Sequence, residues 1–257
     1  MQLIDKIREA GVVGCGGAGF PTHMKLKPNM EYFIINGVEC EPLLRTDRYL
    51  MRHKADDIIS AIDLISEEFT PEHVVIGLKS AYKDEIRSLQ AAIEKAGSNI
   101  RIFQMGSYYP AGDEQILVHE VTGRSVPPLG IPLNVGAMVS NVGTMYQVSE
   151  AIRNQPFTTK YLTVTGEVEE PVIIEAPIGT SFSECIDIAG PVVSSYYTIE
   201  GGPMMGKIVG GEKSLSKVIT KTTSGIIVIG KDSYLAKRKI TPINNIINVA
   251  RSVCMQC

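Results

Sequence analysis

Apolar residues follow two alternating rhythms over the first 156 residues. Leu3, Ile4, Ile7 and Ala10 share one side of a helix over 2–10, and Gly11 ends it. Five glycines between residues 11 and 19 then forbid a helix or strand interior, because too much backbone entropy would be lost, so 11–22 is a loop. Tyr32–Ile35 is a short apolar run stopping at Asn36-Gly37, a strand followed by a turn. Ile58, Ile59, Ile62 and Ile65 mark a helix over 55–68. Val74–Leu78 is a buried-strand run. Residues 81–96 form a helix with Ile86, Leu89 and Ile93 inward and Lys83, Glu85 and Lys95 outward. A third strand follows at 100–103, with further helices at 112–121 and 144–153. Strands alternating with helices predict a mainly parallel sheet covered on both faces, an α/β domain over residues 1–156.

The pattern changes near residue 158. Residues 161–166 and 172–175 read as two strands joined by a short polar turn, followed by a helix at 183–189 and a strand at 196–199. Hairpin, helix and strand in so short a span predict a small α+β module of β-grasp type, placed at 157–212. Residues 224–230 form one more strand. Residues 241–253 form a helix, with Thr241 as cap, Pro242 at its first position, and Ile243, Ile246, Ile247 and Ala250 on one face.

Composition agrees with a globular chain: 257 residues, 44% hydrophobic and 21% charged, enough for one large domain or two ordinary ones with a full core. A net charge of −3 gives no general attraction to nucleic acid. No apolar run is long enough to span a membrane, and the charged, amphipathic start is unlike a secretory signal, so a cytoplasmic setting is expected. The five cysteines, an odd number, argue against a disulfide scaffold. Two of them close the sequence as Cys254-Met-Gln-Cys257, a metal-ligand-like pair that suggests a piece of a longer protein.

Four stretches carry candidate chemistry. In G-C-G-G-A-G-F-P-T (14–22), missing side chains let backbone N–H groups converge on an anion. It is not a P-loop, since no G-K-[ST] follows, and a helix rather than a strand precedes it; a tight structural turn is the alternative. Asn36, Glu39 and Glu41 in N-G-V-E-C-E-P sit at a predicted strand end, where ligands bind in open α/β sheets. A solvated acidic loop is the alternative. Y-Y-P-A-G-D-E-Q (108–115) places Gly112, Asp113 and Glu114 at a helix start, where the acids also suit simple capping. Ser140, Asn141 and Thr144 are hydrogen-bonding groups in an apolar run, with helix capping again the alternative. Cys15, among backbone N–H groups, could be a low-pKa thiol or a passive buried one.

Together these stretches resemble one family. The order G-x-G-G-A-G-F-P-T-x-x-K, N-x-x-E-x-E-P, Y-x-x-G-[DE]-E and N-V-x-T is similar to the flavin- and NADH-binding subunit of respiratory complex I and its relatives. With V-E-C-E-P, G-G-P-M-M-G at 201–206 and a final C-x-x-C, it is more like the corresponding RnfC proteins of ferredoxin:NAD complexes. It is most like the compact cobalamin-reductase and proline-reductase-associated members, truncated before the ferredoxin domain. The resemblance implies a Rossmann-like FMN-binding domain followed by the soluble-ligand-binding β-grasp (SLBB) domain. It implies that residues 213–257 lead into an iron–sulfur domain.

The resemblance also implies residue roles. Gly14, Gly16, Gly17, Ala18, Gly19 and Phe20 would line FMN and NADH, and Lys25 would reach the flavin side chain. Asn36 and Glu39 would lie at the flavin ring. Glu41 and Glu114 would lie near the dinucleotide with Tyr109 and Gly112 as neighbours, Asn141 and Thr144 would hold the FMN phosphate end, and Asp113 and Ser140 would belong to the same cofactor site. Cys254 and Cys257 would be the first two ligands of a 4Fe-4S cluster completed only in a full-length protein. Cys15, Val38 and Ser140 stand where the complex I protein has Arg, Asp and Asn.

The activity implied is NADH-dehydrogenase-like electron transfer from NADH through FMN to iron–sulfur clusters. The final recipient would be a redox partner protein or a corrinoid, as in a cobalamin reductase, in the cytoplasm or a bacterial microcompartment. The alternatives are an Rnf-type or proline-reductase-associated electron-transfer protein, or a non-catalytic assembly module with a vestigial flavin site. Corrinoid binding by this segment itself has no local motif. Replacing Gly17 by Val is expected to block FMN uptake; a yellow holoprotein from Gly17→Val with normal flavin content would refute the loop assignment.

Overall fold

A computed structural model describes residues 2–28, 30–210 and 216–255. The first sheet is four-stranded, parallel, and ordered β3-β2-β1-β4. Its strands are β1 (Tyr32–Asn36), β2 (His73–Lys79), β3 (Arg101–Met105) and β4 (Ala137–Asn141). On one face lie α1 (Leu3–Glu9), α3 (Thr46–His53), α4 (Ala55–Phe69), α5 (Lys83–Ala96) and α7 (Val142–Ile152). The other face is covered by α6 (Glu114–Thr122). The short helix α2 (Thr22–Lys25) follows the glycine loop.

Alternation along β1 decides the faces. Phe33 and Ile35 enter the larger core, and Ile34 the smaller one. Ile58, Ile59, Ile62 and Ile65 of α4 are all fully buried, each contributing about 2 kcal/mol from removal of its side chain from water. The chain leaves β1 towards β2 and β3 on one side and reaches β4 on the other. The carboxyl ends of β1 and β4 are therefore a topological switch point, with Asn36 in register with Asn141.

The second sheet is five-stranded and mixed, ordered β6-β5-β9-β7-β8. It comprises β5 (Thr159–Gly166), β6 (Val172–Pro177), β7 (Tyr196–Glu200), β8 (Lys207–Val209) and β9 (Gly225–Gly230). Helix α8 (Phe182–Ala189) packs on one face and α9 (Tyr234–Lys239) on the other. Strand β9 lies between β5, to which it is parallel, and β7. A division at residue 212 thus leaves out the strand that joins the two halves of this sheet. Its run Ile226–Ile229 is apolar on both faces because both are covered.

The sequence pattern does not predict strands β4 and β8 or helices α2, α3 and α9, and two other expectations are corrected. Helix α3 was not predicted, and it turns Glu85 of α5 inward: the carboxylate is fully buried, with Arg48 Nε at 2.8 Å and Arg52 Nε at 3.6 Å. Buried acids survive where a cation reaches them, and the arginines of α3 do so. Thr241 does not cap the last helix, α10 (Ile243–Val253); its hydroxyl donates back to Lys237 O at 2.9 Å. The face of α10 carrying Ile243, Ile246 and Ile247 is exposed rather than packed.

Gly166 at the end of β5 has φ +106°, and a Cβ there would lie 2.1 Å from Val228 O. Gly166→Ala is expected to cost about 2–4 kcal/mol, seen as a thermal midpoint lowered by roughly 5–10 °C. Gly97→Ala, where a Cβ meets open space, should cost only about 1 kcal/mol. Equal melts for the two variants would refute the close packing of β5 on β9.

Candidate functional site

The switch point opens into a cavity of about 630 Å³ between the two domains. Its volume lies within the ~300–1,000 Å³ typical of cofactor sites. Every sequence-predicted site residue of the first two domains lines it except Gly17 and Gly19. Gly17 (φ +111°) and Gly19 (φ +65°) instead shape the loop, since an L side chain rarely adopts such backbone angles.

The glycine loop is tethered at both ends. Gly14 N donates to Phe20 O at 2.9 Å, and Cys15 N to Thr144 Oγ1 at 2.9 Å. Between these anchors, the amides of Gly16, Gly17, Ala18, Gly19 and Phe20 have no partner among the described residues. Of these residues, Gly16, Ala18 and Phe20 line the cavity. Unpaired amides beside a cleft are the donors an anion needs.

The two asparagines in register spend their side chains internally. Asn36 Nδ2 donates to Gly112 O at 2.9 Å and its Oδ1 accepts from Val38 N at 3.0 Å. Asn141 Nδ2 donates to Asp47 Oδ2 at 2.7 Å, and its Oδ1 caps α7 by accepting from Gly143 N. Asp113 caps α6, accepting from Gln115 N and Ile116 N, so capping accounts for its carboxylate. Lys25 Nζ pairs with Glu114 at 3.3 Å across the cleft. Glu41 accepts from Met204 N at 2.9 Å and Met205 N at 2.7 Å, clamping the G-G-P-M-M-G loop of the second domain. Close approach explains two glycines here. A Cβ on Gly202 would lie 1.9 Å from Glu41 Oε2, and one on Gly112 2.2 Å from Val38 O. Cys254 is exposed after α10, and Cys257 lies outside the described residues.

The floor of the cavity is a buried polar cluster that the sequence motifs only half revealed. Asp47 and Lys160 line it alongside Glu39 and Cys15. Asp47 N donates to Glu39 Oε1 at 3.3 Å, while Glu39 Oε2 is buried without a partner. Burial, and then the neighbouring Asp47, push the Glu39 carboxyl up to about 8. Burial also raises Asp47, opposed by the Asn141 hydrogen bond and by Lys160. The Cys15 thiol is pushed up by burial, more than Lys160 and Thr144 lower it, so it is a passive thiol rather than an activated one. Signals for the missed residues existed. Thr46-Asp47 precedes Tyr49-Leu50-Met51 as a helix start, and Lys160 is in phase with the inward Leu162 and Val164 of β5.

A parallel sheet with a cleft at its switch point, closed by a mixed-sheet second domain, defines a cofactor-binding α/β protein. Comparison with known families makes this specific. A model described as the Nuo51 FMN-binding domain matches residues 7–150, and one described as the SLBB domain matches 161–207. The chain belongs to this family of FMN-binding electron-transfer flavoproteins.

Cobalamin reductase PduS of Citrobacter freundii is 37% identical over 98% of this chain and 55% of its own length. A component of the proton-translocating ferredoxin:NAD(+) oxidoreductase complex of Clostridium ljungdahlii is 36% identical over 90% of this chain and 51% of its own. The chain thus spans about half the length of these curated relatives. In fold, it matches an NAD+-reducing [NiFe]-hydrogenase chain with a TM-score of 0.79 and 22% identity, covering 89% of this chain and 46% of that one. Among the described residues, no helix is long and apolar enough to cross a membrane.

The raised Glu39 carboxyl has a consequence for stability. Between about pH 4.5, the ordinary value, and about 8, the folded chain holds this proton and the unfolded chain does not. Stability therefore falls as pH rises through that window, and the penalty is complete above about 8. Glu39→Gln should flatten the decline and raise the melting temperature at pH 8 by several degrees. Thermal melts from pH 5 to 8 with identical slopes for the two proteins would contradict it.

Proposed function

We propose that this chain is the FMN-binding, electron-transferring part of an NADH-dehydrogenase-like oxidoreductase. It takes electrons from NADH and passes them through FMN towards iron–sulfur clusters and a redox partner, which we take to be a corrinoid. The observation carrying this reading is the interdomain cavity, where the unpaired glycine-loop amides meet the switch point of the sheet. FMN, when bound, would accept a hydride and release electrons one at a time.

The residues fit that group: open amides for an anionic end, a cavity of suitable size, and a buried Glu39 oxygen lacking a partner. Gly16, Ala18 and Thr144 would hold the phosphate side, with Gly14 shaping the loop beside them, while Glu39 would face the ring. Asn36 and Asn141 would act by fixing the walls. Phe20, Tyr109 and Met205, at the cavity and partly exposed, offer apolar surface to the nicotinamide donor. No side-chain nucleophile or general base is needed, because the chemistry is the cofactor's.

The corrinoid acceptor and a microcompartment setting are supported by the cobalamin reductase relatives, and the 4Fe-4S clusters by Cys254 and Cys257 in C-x-x-C spacing. The relatives from ferredoxin:NAD(+) complexes favour a second reading, in which the same flavin domain serves an Rnf-type complex and the acceptor is a protein.

The test is an anaerobic absorption titration with FMN, then NADH. Uptake of FMN with its visible band perturbed, followed by bleaching on addition of NADH, is the expected outcome. Binding without bleaching would overturn NADH as the donor, and absence of binding would overturn the flavin reading.

A further inference from the structure

The second domain contributes a charged side chain to the cavity from the inward face of its own sheet. Lys160 on β5 is only 5% exposed, yet it lines the cavity. Its charge acts on both Cys15 and Asp47. That places the ammonium at the inner end, where Cys15 N meets Thr144 and Asn141 holds Asp47. Among the described residues Lys160 joins none of the ion pairs, and the partner its side chain has is the uncharged Cys15 thiol, to which it hydrogen-bonds. Removing an ammonium from water is costly unless a negative group comes with it, and an apolar residue would serve a plain core better.

The neighbouring acids compensate poorly, since burial drives both Glu39 and Asp47 towards their neutral forms. The cavity wall also offers donors: the free amides of Gly16 and Ala18, and the N-terminus of the 11-residue helix α7, where Asn141 takes the amide of Gly143 alone. A lysine, open amides and a helix N-terminus around one end of a cleft suit a compact, multiply charged oxyanion.

We infer that Lys160 reaches across the domain boundary to bind the phosphate monoester of the flavin nucleotide, so that the second domain completes the cofactor site. This rests on the flavin reading above. Lys160 is then a specificity residue: it favours the phosphorylated flavin over riboflavin and leaves the ring contacts alone.

The test is a titration of wild type, Lys160→Gln and Lys160→Arg with FMN and with riboflavin, followed by flavin fluorescence, alongside thermal melts without flavin. Lys160→Gln is expected to weaken FMN binding roughly tenfold or more, as loss of a charge-assisted contact should, with riboflavin held to within about twofold. Its flavin-free melt should equal or exceed that of wild type, because an uncompensated buried charge has gone. Lys160→Arg should keep most of the preference for FMN. Equal FMN affinity in wild type and Lys160→Gln would overturn the assignment, as would equal losses for both flavins. Should Lys160→Gln not fold, a wild type that binds FMN no more tightly than riboflavin overturns it instead. A wild type that binds neither flavin overturns the flavin reading itself.

Discussion

A single polar contact sets the inner wall of the cleft: Asn141 Nδ2 donates to Asp47 Oδ2 at 2.7 Å. It joins the end of β4 to the first turn of α3, two segments 94 residues apart in sequence. The same asparagine caps α7, so strand end, helix start and loop are fixed relative to one another. Asn36 does the equivalent at the end of β1, bonding Gly112 O on one side and Val38 N on the other. Because the asparagines are occupied this way, the polar groups left facing the cleft include backbone amides, buried acids and the ammonium of Lys160. The cleft is preformed, and its shape is stabilised by bonds that do not involve a ligand.

The electrostatics follow from that wall. The loop from β1 and the first turn of α3 carry Glu39 and Asp47 into a place with little water, and Tyr82 Oη and Lys79 Nζ hold the backbone of Glu39 by donating to its carbonyl at 2.7 and 3.2 Å. Two carboxyls fixed together in low dielectric cannot both stay ionised cheaply, so the proton is retained at pH values where it would ordinarily leave. Desolvation outweighs the attraction of Lys160 at Cys15 as well. For Glu39, Asp47 and Cys15 the cost of burial, rather than pairing between neighbours, is the larger effect.

Much of the first domain was legible because its signals are local. The isoleucines of α4, the glycines of 14–19 and the Asn-Gly after β1 each dictate structure within a few residues. What was not legible depends on long-range pairing. Glu85 reads as an exposed helix acid until α3 places Arg48 against it. Strand β9 reads as separate from the β-grasp module until it pairs with β5 across some 60 residues. Glu41 was expected near the dinucleotide, and in the structure it holds the backbone of residues 204 and 205. Sequence spacing carries no trace of that contact; only the glycine at 202, which leaves room for the carboxylate, hints at it.

These long-range contacts give the second domain its place in the site. Thr46 Oγ1 meets Thr163 Oγ1 at 2.8 Å, Arg45 N donates to Thr163 Oγ1, and Lys221 Nζ donates to Gly11 O at 2.6 Å. Those bonds lie on the loop before α3 and at the base of the glycine loop, the two segments that form the cleft walls. A ligand that recognises both walls binds only the docked arrangement. By mass action it stabilises docking by an amount that grows with its concentration over its dissociation constant. A cofactor held by both walls would therefore couple its affinity to interdomain docking, and a change at the interface would alter binding without touching the cofactor.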